Sequence, residues 1–116
     1  MNIQIFGRKK SFDTDKAKRF FKERNIPFQY IDLDEKGFSK GELTKVAGAV
    51  GGLDQLIDPK TKVQDVYHLV QHMRDENRFN KVLENPKLIV APVVRDGGKA
   101  TVGYVPDVWL QWINDA

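Results

Sequence analysis

The sequence predicts one α/β domain with a mixed sheet, built β-α-β at the start and β-β-α at the end. Three observations carry this. Residues 1–33 switch from a two-residue to a 3.6-residue hydrophobic period and back again. Residues 37–86 hold helical patterns and one irregular stretch. Residues 88–113 read as a glycine-turned hairpin followed by a helix. A chain of 116 residues, 41% of them hydrophobic, can bury one core and is too apolar for disorder. The expected organisation is a single domain over residues 1–116, with residues about 37–86 as a helical insertion.

The first strand is expected over Asn2–Phe6, where Ile3 and Ile5 alternate with Gln4 and Phe6 before Gly7. Asp13–Asn25 reads as a helix. Ala17, Phe20, Phe21 and Arg24 fall at i, i+3, i+4 and i+7, and Asp13 and Asp15 favour the positive helix start. Asn25 and Pro27 end it. Phe28–Leu33 alternates again, so the order strand, helix, strand implies a right-handed parallel crossover.

Ser39-Lys40-Gly41-Glu42 is a capping box opening a helix with Leu43, Val46, Ala47 and Val50 on one stripe, ended by Gly51-Gly52. Leu53–Lys62 reads as irregular, with a turn at Asp58-Pro59. Val63, Val66, Leu69, Val70 and Met73 mark another helix, and Phe79, Val82 and Leu83 a short one stopped by Asn85-Pro86. Val93-Val94, Asp96-Gly97-Gly98 and Ala100–Val102 make a hairpin. Pro106 opens the last helix, whose apolar face is Val105, Val108, Trp109, Trp112 and Ile113. Trp109 is read as core, and Trp112 as core or surface patch.

Composition excludes several functions. No run approaches the ~20 apolar residues of a spanning helix. The chain passes directly into a strand pattern, so no signal peptide is expected and the cytoplasm is the default location. With no cysteine there is neither a disulfide nor a thiolate metal site. A net charge of +3 does not point to direct nucleic-acid binding. The cations do cluster between Arg8 and Arg24, interleaved with Asp13, Asp15 and Glu23. That cluster is either a solvated helix face or a surface for an anionic partner.

Candidate chemistry is sparse. His68 and His72 share a helix face at i, i+4, but no third ligand accompanies them, so solvent-facing histidines are expected and no metal site. Asp32, Asp34 and Glu35 form an acidic loop rather than a catalytic pair. One of Ser11, Asp13 and Thr14 should cap the first helix. Arg8, Lys9 and Lys10 converge on that helix start, where free amides could hold a weak anion.

Three stretches together resemble a known family. They are Met1–Phe21 (MNIQIFGRKKSFDTDKAKRFF), Asn85–Val94 (NPKLIVAPVV) and Asp96–Tyr104 (DGGKATVGY). In that order they resemble the arsenate reductase/Spx branch of the thioredoxin-like fold. The resemblance implies a thioredoxin-like mixed sheet with a helical insertion. The family's Tyr-Gly-like pair is here Phe6-Gly7, and the reactive cysteine falls at Ser11, counted back from Ala17 and Phe20-Phe21. The second cysteine of Spx-type members falls at Thr14. The family's Arg-Arg-Pro is here Val90-Ala91-Pro92, which implies a cis peptide before Pro92 and the loss of both arginines. A further family arginine, expected near Gly103 or Tyr104, is missing, while Lys60 or Lys62 could stand for the middle-region arginine.

The family's reduction chemistry needs a thiolate that attacks the oxyanion and then forms a disulfide. A serine hydroxyl has no such redox couple. Paired guanidinium donors are likewise poorly replaced by single lysines. The resemblance therefore implies a catalytically inactive member with no cofactor, a partner-binding or regulatory module. Spx-like relatives dock on RNA polymerase, so the family analogy names that partner class and no membrane. Arg8, Lys9, Lys10, Ser11, Lys60 and Lys62 are the candidate anion or partner site. The competing expectation is a reductase-family enzyme acting on an oxyanion or glutathione-linked substrate through residues other than cysteine.

Overall fold

Alternation in the first strand decides the architecture. The structure, a computed structural model, describes residues 1–116. Strand β1 (Ile3–Gly7) lies inside a four-stranded sheet of order β2-β1-β3-β4. It pairs in parallel with β2 (Phe28–Asp32) and antiparallel with β3 (Val93–Asp96), which pairs antiparallel with β4 (Lys99–Val102). The mixed sheet is the one the sequence predicts. Helix α1 (Phe12–Glu23) links the parallel pair, and α5 (Pro106–Asp115) closes the chain. Between them lie α2 (Lys40–Val50), α3 (Gln64–Gln71) and α4 (Asp75–Glu84). Single 3-10 turns cover Leu53–Leu56 and Pro86–Leu88, the first inside the stretch read as irregular.

Because side chains alternate across a strand, the sheet divides the core in two. Ile3, Ile5 and Val94 point to one face and pack with Ala17, Phe20, Phe21, Trp109 and Trp112 from α1 and α5. Phe6 and Val93 point to the other face and pack with Leu43 and Val46 of α2 and with Leu56, Val70, Val82 and Leu88 of the middle region. Both tryptophans are core. Trp109 Nε1 donates to Thr101 Oγ1 at 2.8 Å, which satisfies its buried donor.

Local sequence explains the element ends. Ser39 Oγ accepts from Glu42 N at 3.1 Å, and Glu42 Oε1 accepts from Ser39 N at 2.8 Å, so the capping box forms. Asn25, at φ 58, follows α1, which ends two residues earlier than the sequence expects. The hairpin turn places Gly97 at φ 60.

Two apolar expectations fail. Leu69 and Val108 were placed on core stripes but are 48% and 42% exposed. Helix α3 has eight residues, and its buried line runs through Val70 rather than Leu69. On α5 the buried stripe is Trp109 and Trp112, with Val105 and Ile113 half-buried against it, and Val108 falls outside it. These two classes of leucine and valine should separate in stability. Val70→Ala should lower the unfolding free energy by about 2 kcal/mol, from two lost methyls and a cavity. Leu69→Ala should stay within ~0.5 kcal/mol. Urea denaturation of both variants checks the contrast.

Candidate functional site

Gly7 ends β1, and the following turn delivers the chain to α1. Ser11 is the N-cap: its Oγ accepts from Thr14 N at 3.1 Å, and its backbone takes extended angles. Thr14 is fully buried, and its Oγ1 accepts from Arg8 N at 3.3 Å. Both positions that the resemblance assigns to cysteines therefore carry hydroxyls that satisfy backbone amides. The fit is tight. A methyl group on Gly7 would overlap Thr14 Cγ2, so glycine is needed here for close approach.

The basic residues before Ser11 are mostly engaged. The Arg8 guanidinium turns inward and donates to the carbonyls of Ile89 and Pro86, and to Asp34 Oδ1 at 3.2 Å. Lys9 Nζ lies 3.6 Å from Glu35 Oε1 in an exposed pair. Parallel pairing of β1 with β2 sets Gly7 beside Asp32, so the residues after each strand meet. The acidic loop is thus the counter-charge of the basic turn. Asp32 Oδ1 is also used within that loop, accepting from Asp34 N at 2.9 Å. Lys10 is exposed and joins no ion pair.

Phe6 pairs with Val93, so buried Pro92 lies at the Gly7 end of β1, and the Ala91–Pro92 peptide is cis. Pro92 O accepts from Gly103 N at 2.8 Å, and Gly103 takes φ 81. The positions where the resemblance places arginines hold Val90, Ala91, and Gly103 or Tyr104, none of which carries a guanidinium.

Lys60 and Lys62 are exposed and form no ion pair. Their loop is tied to the same segment that Arg8 grips. Thr61 Oγ1 donates to Lys87 O at 2.6 Å, and Asp58 N donates to Leu88 O at 2.7 Å. The structure brings that loop and the basic turn to one strip of chain, residues 86–89, without joining their cations in one pocket. His68 and His72 are both exposed, and α3 ends before His72.

One titratable side chain is perturbed. The Tyr30 hydroxyl is buried without a partner, and Lys18 Nζ lies 3.6 Å from the ring centroid. Burial raises its pKa, and the charges of Asp32, Asp15, Asp34 and Glu35 raise it further. A phenol held neutral in this way is no nucleophile at physiological pH.

The fold and the cis-proline beside a helix-capping turn define a thioredoxin-like domain. Residues 7–112 match the ArsC family, and the chain belongs to it. It resembles two proteins of Oceanobacillus iheyensis. It is 29% identical to Global transcriptional regulator Spx 1 over 94 residues, covering 79% of this chain and 72% of that one. It is 27% identical to Global transcriptional regulator Spx 2 over 130 aligned positions, covering 97% and 93%. Among solved structures, an arsenate reductase from Vibrio cholerae superposes with TM-score 0.82 at 24% identity, covering 96% of this chain and 97% of that one. An ArsC family related protein from Bacteroides fragilis reaches TM-score 0.84 at 20% identity, with coverage of 96% and 97%. This member of the family has no cysteine.

Sequence reasoning missed the inward turn of Arg8, because its carbonyl partners lie about 80 residues away, at Pro86 and Ile89. It also missed Phe12, which is 83% exposed. That signal was present: Phe12 falls on the stripe of Lys16 and Arg19, off the stripe of Ala17, Phe20 and Phe21.

Two variants test this geometry. Arg8→Ala strips a partly buried cation from two carbonyls and a carboxylate, and should cost about 2–3 kcal/mol. Lys9→Ala should cost no more than ~0.5 kcal/mol. Gly7→Ala should cost about 1–3 kcal/mol through overpacking. In a Thr14→Ala background that penalty should shrink by at least ~1 kcal/mol, the coupling expected of touching side chains. Thermal and urea unfolding of the single and double variants measure both effects.

Proposed function

We propose that this chain is a non-catalytic member of its family that works by binding a protein partner. One observation carries the reading. The chain contains no thiol, and Ser11, where the resemblance puts the family's cysteine, uses its oxygen to accept a helix amide. The hydroxyl cannot cycle between oxidised and reduced states. With Arg8 bound to carbonyls and Asp34, the turn also lacks the guanidinium donors that would clamp an oxyanion. Any anion at the turn would meet Lys10, the Ser11 hydroxyl and the first amides of α1, a weak and salt-sensitive site at best.

The two relatives named as global transcriptional regulators support a regulatory role in transcription. By family analogy the partner belongs to the transcription apparatus, with RNA polymerase first, and the protein works in the cytoplasm. No helix is long and apolar enough to cross a membrane.

The purified protein should reduce no arsenate above the buffer rate when glutathione and glutaredoxin are supplied. Turnover that Ser11→Ala abolishes would overturn the reading. The domain should also co-elute with RNA polymerase purified from its own cell, and two separate peaks at micromolar concentrations would remove that partner.

A further inference from the structure

We infer that the groove between α1 and α5 is the docking surface, and that its occupant is an acidic amphipathic helix of a protein partner. The inference rests on the partner-binding reading and names the surface and the chemistry of what it takes.

The groove has a volume of about 170 Å³. Its floor is Phe20, and Tyr104 and Leu110 form its apolar wall from the other side. Tyr104 and Leu110 remain 39% and 38% exposed, although Tyr104 packs edge-on against Trp109 with centroids 5.6 Å apart. Phe12 of α1, 83% exposed, stands outside the groove lining. It lies one turn before Lys16 on the same helix face, and Lys16 Nζ sits 5.6 Å from the Tyr104 ring. Large exposed aromatics in a concave strip are what a helix's apolar face seeks.

Charge selects the partner. Lys16, Arg19 and Arg24 line the groove against one carboxylate, Glu23. Elsewhere Arg8, Arg78 and Arg95 each face an acidic side chain, while Arg74 faces none. Arg19 faces none. Arg24 lies over the Phe20 ring at 3.8 Å and donates to Phe20 O, leaving no carboxylate on it. Lys16 has only Asp13, 4.0 Å away, with both side chains more than half exposed. Three cations against one lining carboxylate give the groove an excess of positive charge, which complements acidic residues flanking an apolar helix face. Nucleic acid fits less well, because Asp13, Asp15 and Glu23 interrupt the basic stripe and the groove offers hydrophobic surface to a phosphate backbone.

The test is an amide NMR titration of the whole domain with two synthetic helical peptides. Both carry leucines on one face, and the polar flanks are glutamate in one and lysine in the other. The glutamate peptide should move amides from Phe12 to Arg24 and from Tyr104 to Leu110, with a Kd of about 10–100 µM for a contact below standard interface size. The lysine peptide should move none. The double variant Lys16→Glu/Arg19→Glu should weaken the glutamate peptide at least tenfold and admit the lysine peptide. Phe12→Ser should weaken binding about fivefold while leaving the remaining spectrum intact, since Phe12 is already solvent-exposed. The inference is overturned if both peptides bind alike, if the shifts map elsewhere, or if a DNA duplex gives the same shifts more tightly. Concentration-dependent shifts of the same amides without peptide would assign the groove to a second copy and also overturn it. Co-elution with RNA polymerase that survives the double variant would remove the groove while leaving the partner-binding reading in place.

Discussion

The Arg8 guanidinium holds the structure's functional end together. It is only 20% exposed and donates to two main-chain carbonyls and one carboxylate. Each charge-assisted bond of this kind contributes about 1.5–3 kcal/mol when the cation is shielded from water. The two carbonyls belong to Pro86 and Ile89, at the start and just beyond the end of a single 3-10 turn, and Pro86 O also accepts from Ile89 N at 3.0 Å. Residues 86–89 in turn anchor Asp58 and Thr61, and Val90 donates to Leu56 O at 2.8 Å. Arg8 thereby adds a polar tie between the helical insertion and the end of the central strand, alongside the packing of Phe6 against that region. Pro92 follows immediately and takes its place beside the Ser11 turn.

That use of Arg8 sets the electrostatics of the turn. Basic residues preceding a helix start invite an anion, since amides and cations point to one place. Here Asp34 and Glu35 already occupy Arg8 and Lys9. The neutralisation follows from strand pairing, because the parallel register of β1 and β2 leaves their carboxyl ends side by side. Ser11 and Thr14 add two hydroxyl acceptors for backbone amides. A turn satisfied in this way is structural. On the outer face of α1, Arg19 pairs with no carboxylate, as Lys10, Lys60 and Lys62 pair with none elsewhere.

The sequence revealed elements better than junctions. Period-two and period-3.6 patterns located every strand and helix, because burial on one face writes itself into local spacing. The capping box at Ser39 and Glu42 was legible for the same reason: all its atoms lie within four residues. The Ser11 cap was foreseen only as one of three candidates, since several polar residues crowd that helix start. Arg8 could not be read, because its partners are distant in the chain and are carbonyls, which every residue carries. The basic turn and the acidic loop were each visible, but their pairing depends on sheet register. Leu69 and Val108 misled because a stripe drawn on apolar identity ignores how much neighbouring indole or valine already fills the layer.

Helix α1 carries two requirements on two faces. Ala17, Phe20 and Phe21 face the core, with Phe21 5.3 Å and Phe20 5.2 Å from Trp109, ring centroid to centroid. These contacts need no thiol, so the core forms in a chain without cysteine. Phe12, Lys16 and Arg19 face outward and contribute little to packing. An exposed phenylalanine does not stabilise the folded chain by burial, and Lys16 and Arg19 near it repel one another. Folding alone therefore gives no reason to keep that combination, whereas a partner that covers the aromatic and neutralises the charge would. The inner face of α1 accounts for the fold, and the outer face is where a function without thiol chemistry has room to act.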